Sequence, residues 1–147
     1  MPTISRSALV MHSVADMYQL INNISAYPEF LPECTESKII SQENNTVTAS
    51  LLVSKGGLSK WFTTKNILVS DEKIHLSLVN GPFKRLEGFW LLTPLSEEAC
   101  KVSLELEYEF SNKLVSLAFG RVFDHFSTNL VKLFIQRAKQ VYGVDKS

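Results

Sequence analysis

The sequence predicts an α+β protein: an antiparallel sheet of about seven strands curved round one long C-terminal helix, with short helices after the first strand. Three observations carry this. Residues 34–110 are cut by closely spaced turn signals into strand-like runs, leaving no room for the crossovers that parallel strands need. In residues 99–110, Val102, Leu104, Leu106, Tyr108 and Phe110 fall on one side, and Ser103, Glu105, Glu107 and Glu109 on the other. That alternation marks a sheet with one wet face and one covered face. Residues 113–142 then place Phe119, Val122, Phe123, Phe126, Leu130, Leu133 and Phe134 in one apolar stripe at helical spacing.

Residues 3–11 are β-branched and apolar and read as the first strand. Ser13 begins a capping-box-like start, and Met17, Leu20, Ile21 and Ile24 make residues 13–24 an amphipathic helix. Tyr27-Pro28 stops it, because the residue before a proline is pushed out of the α region. A second short helix is expected over residues 27–31, with Pro28 in its first turn and Pro32 ending it. Strands are expected at 37–42, 46–54, 58–69, 73–79, 85–93 and 99–110. Ile74, Leu76 and Leu78 repeat the one-sided pattern, as do Leu86, Gly88, Trp90 and Leu92. The run 58–69 is ambiguous, since Trp61 and Phe62 point to opposite faces. Asn112 suits a helix N-cap and Gly143 the position after the last turn, so residues 113–142 form one helix about 45 Å long. Asp124, Lys132, Gln136, Lys139 and Gln140 lie away from its stripe. The exposed flank Val131, Ile135 and Ala138 either extends the core or meets another protein.

A chain of 147 residues and 16.6 kDa fits a single domain, 1–147, with disorder expected only at 144–147. Fifteen basic and fifteen acidic residues cancel, so bulk charge gives no reason to expect DNA or an anionic partner, although a local patch stays open. No signal-like start and no uninterrupted apolar span are present, which points to the cytoplasm. Cys34 and Cys100 are then expected as free thiols.

Chemistry-bearing patterns are sparse. His12, His75 and His125 fall in separate elements, and Asp124 and His125, as helix neighbours, diverge too far for a relay. No spacing suits a metal, Gly56-Gly57 reads as a hairpin turn, and Glu105, Glu107 and Glu109 read as a solvated face. No catalytic residue is assigned. Lys55 and Lys60 flank one turn, and Phe83, Lys84 and Arg85 follow another. If both turns lie at one end of the sheet they build a positive patch, with Phe83 free to stack on unpaired bases; otherwise they are ordinary solubilising charges. Leu51, Val53, Leu76, Leu78, Trp90, Leu104, Leu106 and Tyr108 can face Phe119, Phe123, Phe126 and Leu130 across the sheet–helix gap. They enclose either a filled core or an apolar cavity.

Four segments bear on that choice: Tyr27-Pro28-Glu29-Phe30-Leu31-Pro32, Gly81-Pro82-Phe83-Lys84, Leu86-x-Gly88-x-Trp90-x-Leu92-Thr93-Pro94, and residues 112–123 (NKLVSLAFGRVF). Together they resemble the START-like group of coenzyme Q-binding and polyketide cyclase-like proteins, and within it the bacterial ribosome association toxins. The likeness runs from residue 4 to residue 142. It implies a helix-grip fold of the START-like, Bet v type, and a non-enzymatic protein that requires no cofactor. It further implies an apolar ligand such as ubiquinone or another isoprenoid lipid. The toxin branch implies the large ribosomal subunit as a partner, with inhibition of subunit joining and translation, and a small antitoxin protein. A polyketide cyclase or aromatase-like enzyme and a general lipid carrier are the alternatives. In a quinone site, Tyr108, Asn129 or Arg121 is expected to donate to a carbonyl.

Overall fold

The computed structural model describes residues 3–143, so the disorder expected at 144–147 lies outside the described residues. Strand β1 (Thr3–Val10) leads through Ser13 into α1 (Val14–Asn22), where Ser13 Oγ accepts the Asp16 N–H at 3.1 Å. Met17, Leu20 and Ile21 bury as the spacing predicts. The helix ends two residues short of expectation. The segment after it is a 3-10 helix, Ile24–Glu29, with Pro28 near its end rather than in its first turn. Tyr27 accounts for the shift: its buried hydroxyl donates to the Ile21 carbonyl, closing the open end of α1 and drawing the next turn beneath it.

Six further strands follow: β2 (Cys34–Glu43), β3 (Thr46–Lys55), β4 (Leu58–Val69), β5 (Lys73–Asn80), β6 (Phe83–Ser96) and β7 (Ala99–Phe110). They form one seven-stranded sheet with β1, antiparallel throughout, in the order β1-β7-β6-β5-β4-β3-β2. β4 and β7 occupy the residues the pattern predicts. β6 is longer, and it carries Pro94 beside a register shift with β7, where a missing N–H is tolerated. Further register shifts in β2, between Thr63 and Thr64, and between Phe83 and Arg85 bend the sheet into a trough. Gly88 sits opposite Leu106, where β6 and β7 approach so closely that a Cβ would lie 2.1 Å from the Glu105 carbonyl oxygen. Only glycine fits there.

The C-terminal helix fills the trough, but not as one rod. It is α2 (Lys113–Thr128) followed by α3 (Leu130–Tyr142), with Asn129 as the joint between them: its N–H still donates to the His125 carbonyl at 3.3 Å and its carbonyl accepts the Leu133 N–H at 3.0 Å, but its ψ departs from the helical value. Local side chains compete for the backbone at this point. Asn129 Nδ2 donates to the His125 carbonyl at 2.8 Å and Ser127 Oγ to the Phe123 carbonyl at 2.8 Å. The expected caps are present: Asn112 Oδ1 accepts the Val115 N–H at 2.9 Å, and Gly143 takes a positive φ after the last turn. Val131 and Ala138, expected on an exposed flank, are buried and extend the core, while Ile135 is half-buried.

Aromatic rings set the seating of both helices. Phe123 meets Phe83 and Tyr108 at 4.8 Å each and Phe62 at 5.7 Å between ring centres. In α3, Phe134 packs on Trp90 at 5.2 Å, Tyr27 at 5.3 Å and Phe30 at 5.1 Å. Arg137 ties α3 down from outside, stacking over Phe30 and pairing with Glu29 at 2.6 Å. The Tyr-Pro-Glu-Phe segment is thus a cradle for α3. Phe123 is 1% exposed, so Phe123→Ala is expected to cost about 3–5 kcal/mol of stability in chemical denaturation.

Candidate functional site

The alternation in β4 decides what faces the helices. Phe62 is buried and Trp61 is partly exposed on the outer face beneath Lys38, which resolves the ambiguity of that strand. Counting by two from Phe62, Thr64 and Asn66 also point into the trough. They line a cavity of about 70 Å³ between the sheet and the helices. Ala49 and Leu51 of β3, Leu76 of β5, Leu86 and Trp90 of β6, and Leu104 and Leu106 of β7 complete its floor. Phe123, Phe126 and Ser127 of α2 and Leu130 and Phe134 of α3 form the roof, with Ile24 and Tyr27 at one side.

Eight of the expected cavity residues line it: Leu51, Leu76, Trp90, Leu104, Leu106, Phe123, Phe126 and Leu130. Val53 and Phe119 are fully buried in packed core beyond its reach, and Leu78, half-buried and in register with the lining residue Thr64, does not line it. Tyr108 is not among the lining residues; its hydroxyl donates to Asp124 Oδ1 of α2. Burial and that bond to Asp124 hold the phenol well above its ordinary pKa. The other two expected donors also lie elsewhere: Arg121 is exposed, and Asn129 Nδ2 is spent on the His125 carbonyl.

The polar lining residue that sequence reasoning did not single out is Asn66, which is 6% exposed and whose Oδ1 accepts the Thr64 hydroxyl at 2.7 Å. Ser127 Oγ is committed to the Phe123 carbonyl and the Tyr27 hydroxyl to the Ile21 carbonyl. The sequence signal for Thr64 and Asn66 was their even spacing from Phe62, two polar residues on an otherwise apolar face. Among the described residues that line the cavity, none is charged and none is histidine. The volume is well below the ~300–1,000 Å³ of typical ligand pockets, so a bulky head group can enter only if the walls move. The helix break at Asn129 borders the roof residue Leu130.

The titratable groups near this region face away from it. His125 Nδ1 lies 3.3 Å from Glu33 Oε2, with the histidine side chain 52% exposed, and neither residue lines the cavity. Lys55 and Lys60 are exposed at the β3–β4 hairpin, whose two glycines both take positive φ. That hairpin and the β5–β6 turn do share one end of the sheet, as the pairing of Thr63 with Asn80 requires. The patch nevertheless divides. Lys55 and Lys60 have inward parity, whereas Lys84 pairs at 3.8 Å with Glu109 on the outer face. Phe83 is not available for stacking on bases: it is 5% exposed and stacks on Phe110 at 5.2 Å.

Residues 10–135 match the family model for polyketide cyclase / dehydrase and lipid transport. The chain belongs to that family. It is 53% identical over 143 residues to the ribosome association toxin RatA of Escherichia coli K12, covering 97% of this chain and 90% of that protein. It is 28% identical over 140 residues to the mitochondrial coenzyme Q-binding protein coq10 of Schizosaccharomyces pombe, covering 90% and 84%. A START superfamily protein from Mycobacterium smegmatis has the same fold, with a TM-score of 0.79 at 20% identity over 95% of this chain and 98% of that one. The expected helix-grip architecture and family are both correct. No helix among the described residues is long and apolar enough to cross a membrane.

Both cysteines are free, buried and adjacent to the core. Burial pushes the Cys34 thiol up to about 12 and the Cys100 thiol up to about 11, from an ordinary value of 9.0. The unfolded chain therefore loses these protons first as pH rises. Their contribution to stability is complete below about pH 9 and is lost progressively as pH climbs through the folded values. Native protein should resist iodoacetamide at pH 8 while denatured protein reacts at both thiols, and the melting temperature should fall above about pH 9.

Proposed function

We propose that this protein is a non-enzymatic binding protein of the cytoplasm that engages the large ribosomal subunit and so opposes subunit joining and translation. The observation that carries this reading is the 53% identity to a ribosome association toxin along 97% of the chain. Blocking subunit association needs no chemistry: a free subunit offers surface that a joined ribosome hides. The absence of charged or histidine side chains among the described cavity-lining residues favours binding over a cyclase reaction, which requires an acid and a base at the substrate. A small antitoxin protein is the partner that a toxin of this kind would require.

With zero net charge, contact with an RNA-rich particle depends on local cations, and Lys55 and Lys60 at the β3–β4 hairpin are the proposed contacts, with Arg85 of β6, in register with Glu109, as a second candidate on the outer face. Sedimentation of cell extract with added protein should show fewer joined ribosomes and more free subunits. Lys60→Glu should weaken this effect, and raising the salt should weaken it further, by roughly 0.7–0.9 in log–log slope per phosphate contact. An unchanged profile with the wild-type protein in large excess would remove the function. An effect that survives charge reversal at Lys60 and Arg85 would remove only the surface.

A second reading, favoured by Asn66 in an apolar cavity, is that the protein holds an isoprenoid quinone. The tail gains roughly 0.8 kcal/mol per CH₂ removed from water, and the Asn66 amide donates to a ring carbonyl. The residues fit this in kind, since one oriented donor among apolar walls is what a quinone ring needs. Asn66→Leu should weaken ubiquinone binding by about tenfold, the worth of one buried hydrogen bond. Leu106→Trp should abolish it by occupying the space, with both read by fluorescence titration of folded protein. Full affinity in both variants would place the quinone elsewhere.

A further inference from the structure

Leu114 and Leu117 are 77% and 78% exposed, the most exposed large apolar side chains among the described residues. They stand in the first two turns of α2 on the side opposite Phe119 and Phe123, which already hold that helix to the sheet. Arg121 continues the leucine face one turn later, and Lys113 opens the helix beside Leu114. Neither cation forms an ion pair among the described residues, and the first turn of α2 contains no acidic side chain. Packing, capping and the cavity all leave this face unused.

We propose that the N-terminal turns of α2 dock on an anionic lipid bilayer. Exposed leucines flanked by lysine and arginine on one helical face are the composition of an interfacial helix, which sinks its apolar side chains below the head groups and holds lipid phosphates with its cations. Protein hot spots favour aromatic side chains seated in pockets and are poor in leucine. An RNA surface would use the cations but leave both leucines in water. Because the whole chain carries no net charge, attraction at this face comes from its local cations Lys113 and Arg121, so docking is reversible and requires anionic lipid. The surface also has a consequence for the cavity. Phe123, in its roof, lies six residues beyond Leu117 on the same helix, about 9 Å along the axis. A bilayer-docked α2 therefore sets the cavity beside a reservoir of isoprenoid lipid, and to that extent the proposal rests on the quinone reading.

The test is co-sedimentation of the full chain with vesicles of phosphatidylcholine alone or phosphatidylcholine mixed with phosphatidylglycerol. Binding is expected with the mixed vesicles, falling with added salt. Leu114→Asp and Leu117→Asp together should reduce it by roughly tenfold or more, since two buried side chains are lost. Lys113→Gln with Arg121→Gln should reduce it less and remove the lipid-charge dependence. Circular dichroism and the melting temperature should stay at wild-type values in all variants, because every altered side chain is exposed. No binding of wild-type protein to mixed vesicles overturns the proposal, and so does equal binding by the double aspartate variant. Loss of ribosomal-subunit binding in that variant without any vesicle binding assigns the face to the ribosome and likewise overturns it. Ubiquinone titration in detergent separates the two readings. Quinone uptake without vesicle binding defeats the docking surface alone, and vesicle binding without quinone uptake defeats the cavity reading while the docking surface stands.

Discussion

A sheet with one apolar face has to be covered, and here the covering is a cluster of rings centred on Phe123. That residue touches Phe62 from β4, Phe83 from β6 and Tyr108 and Phe110 from β7, so one helical side chain joins three strands. Edge-to-face ring contacts are directional, which fixes the rotation of α2 as well as its distance from the sheet. The direction of the Leu114–Leu117 face, the position of the Phe123–Phe126 roof and the reach of Asp124 to Tyr108 all follow from that rotation.

The ring cluster also explains why a cavity persists. At the end of the trough nearest Phe83 and Phe110 the interior is filled, and Phe119 packs there with no space left. Further along, the floor changes to leucines and to the small or polar residues Ala49, Thr64 and Asn66, which do not fill the space beneath Phe126 and Leu130. A buried amide is costly unless it is bonded, and the Thr64 hydroxyl bonds to Asn66 Oδ1 at 2.7 Å. The break at Asn129 stands at the same end, where α2 and α3 join over the cavity.

Membership of a family that spans cyclases and lipid carriers does not choose between catalysis and binding. Glu33 and His125 pair outside the cavity, Asp124 is engaged by Tyr108, and the described lining contains no charged or histidine side chain. Those contacts tie α2 to β7 and to the segment before β2.

Sequence alone was enough for the architecture, because hydrophobic period and turn chemistry are local properties. The alternation of β7, the Gly56-Gly57 turn and the stripe from Phe119 to Phe134 each specify an element and the face it buries. Most of the cavity wall was readable for the same reason, since inward parity is inherited along a strand. What parity does not carry is depth and direction. Val53, Leu78, Tyr108 and Phe119 point inward as expected, yet they lie beyond the cavity or turn their polar atoms away from it. The single break at Asn129 turned on side-chain bonds to the backbone that ordinary helical spacing conceals. Phe83 looked exposed because it follows a proline turn and precedes two cations, and only the stacking of Phe110 and Phe123 on it puts it in the core. Asn66 came to line the cavity only when β4 was set beside β3 and β5. Which polar group meets an empty space is a property of the assembled interior, where long-range packing decides what short-range pattern leaves open.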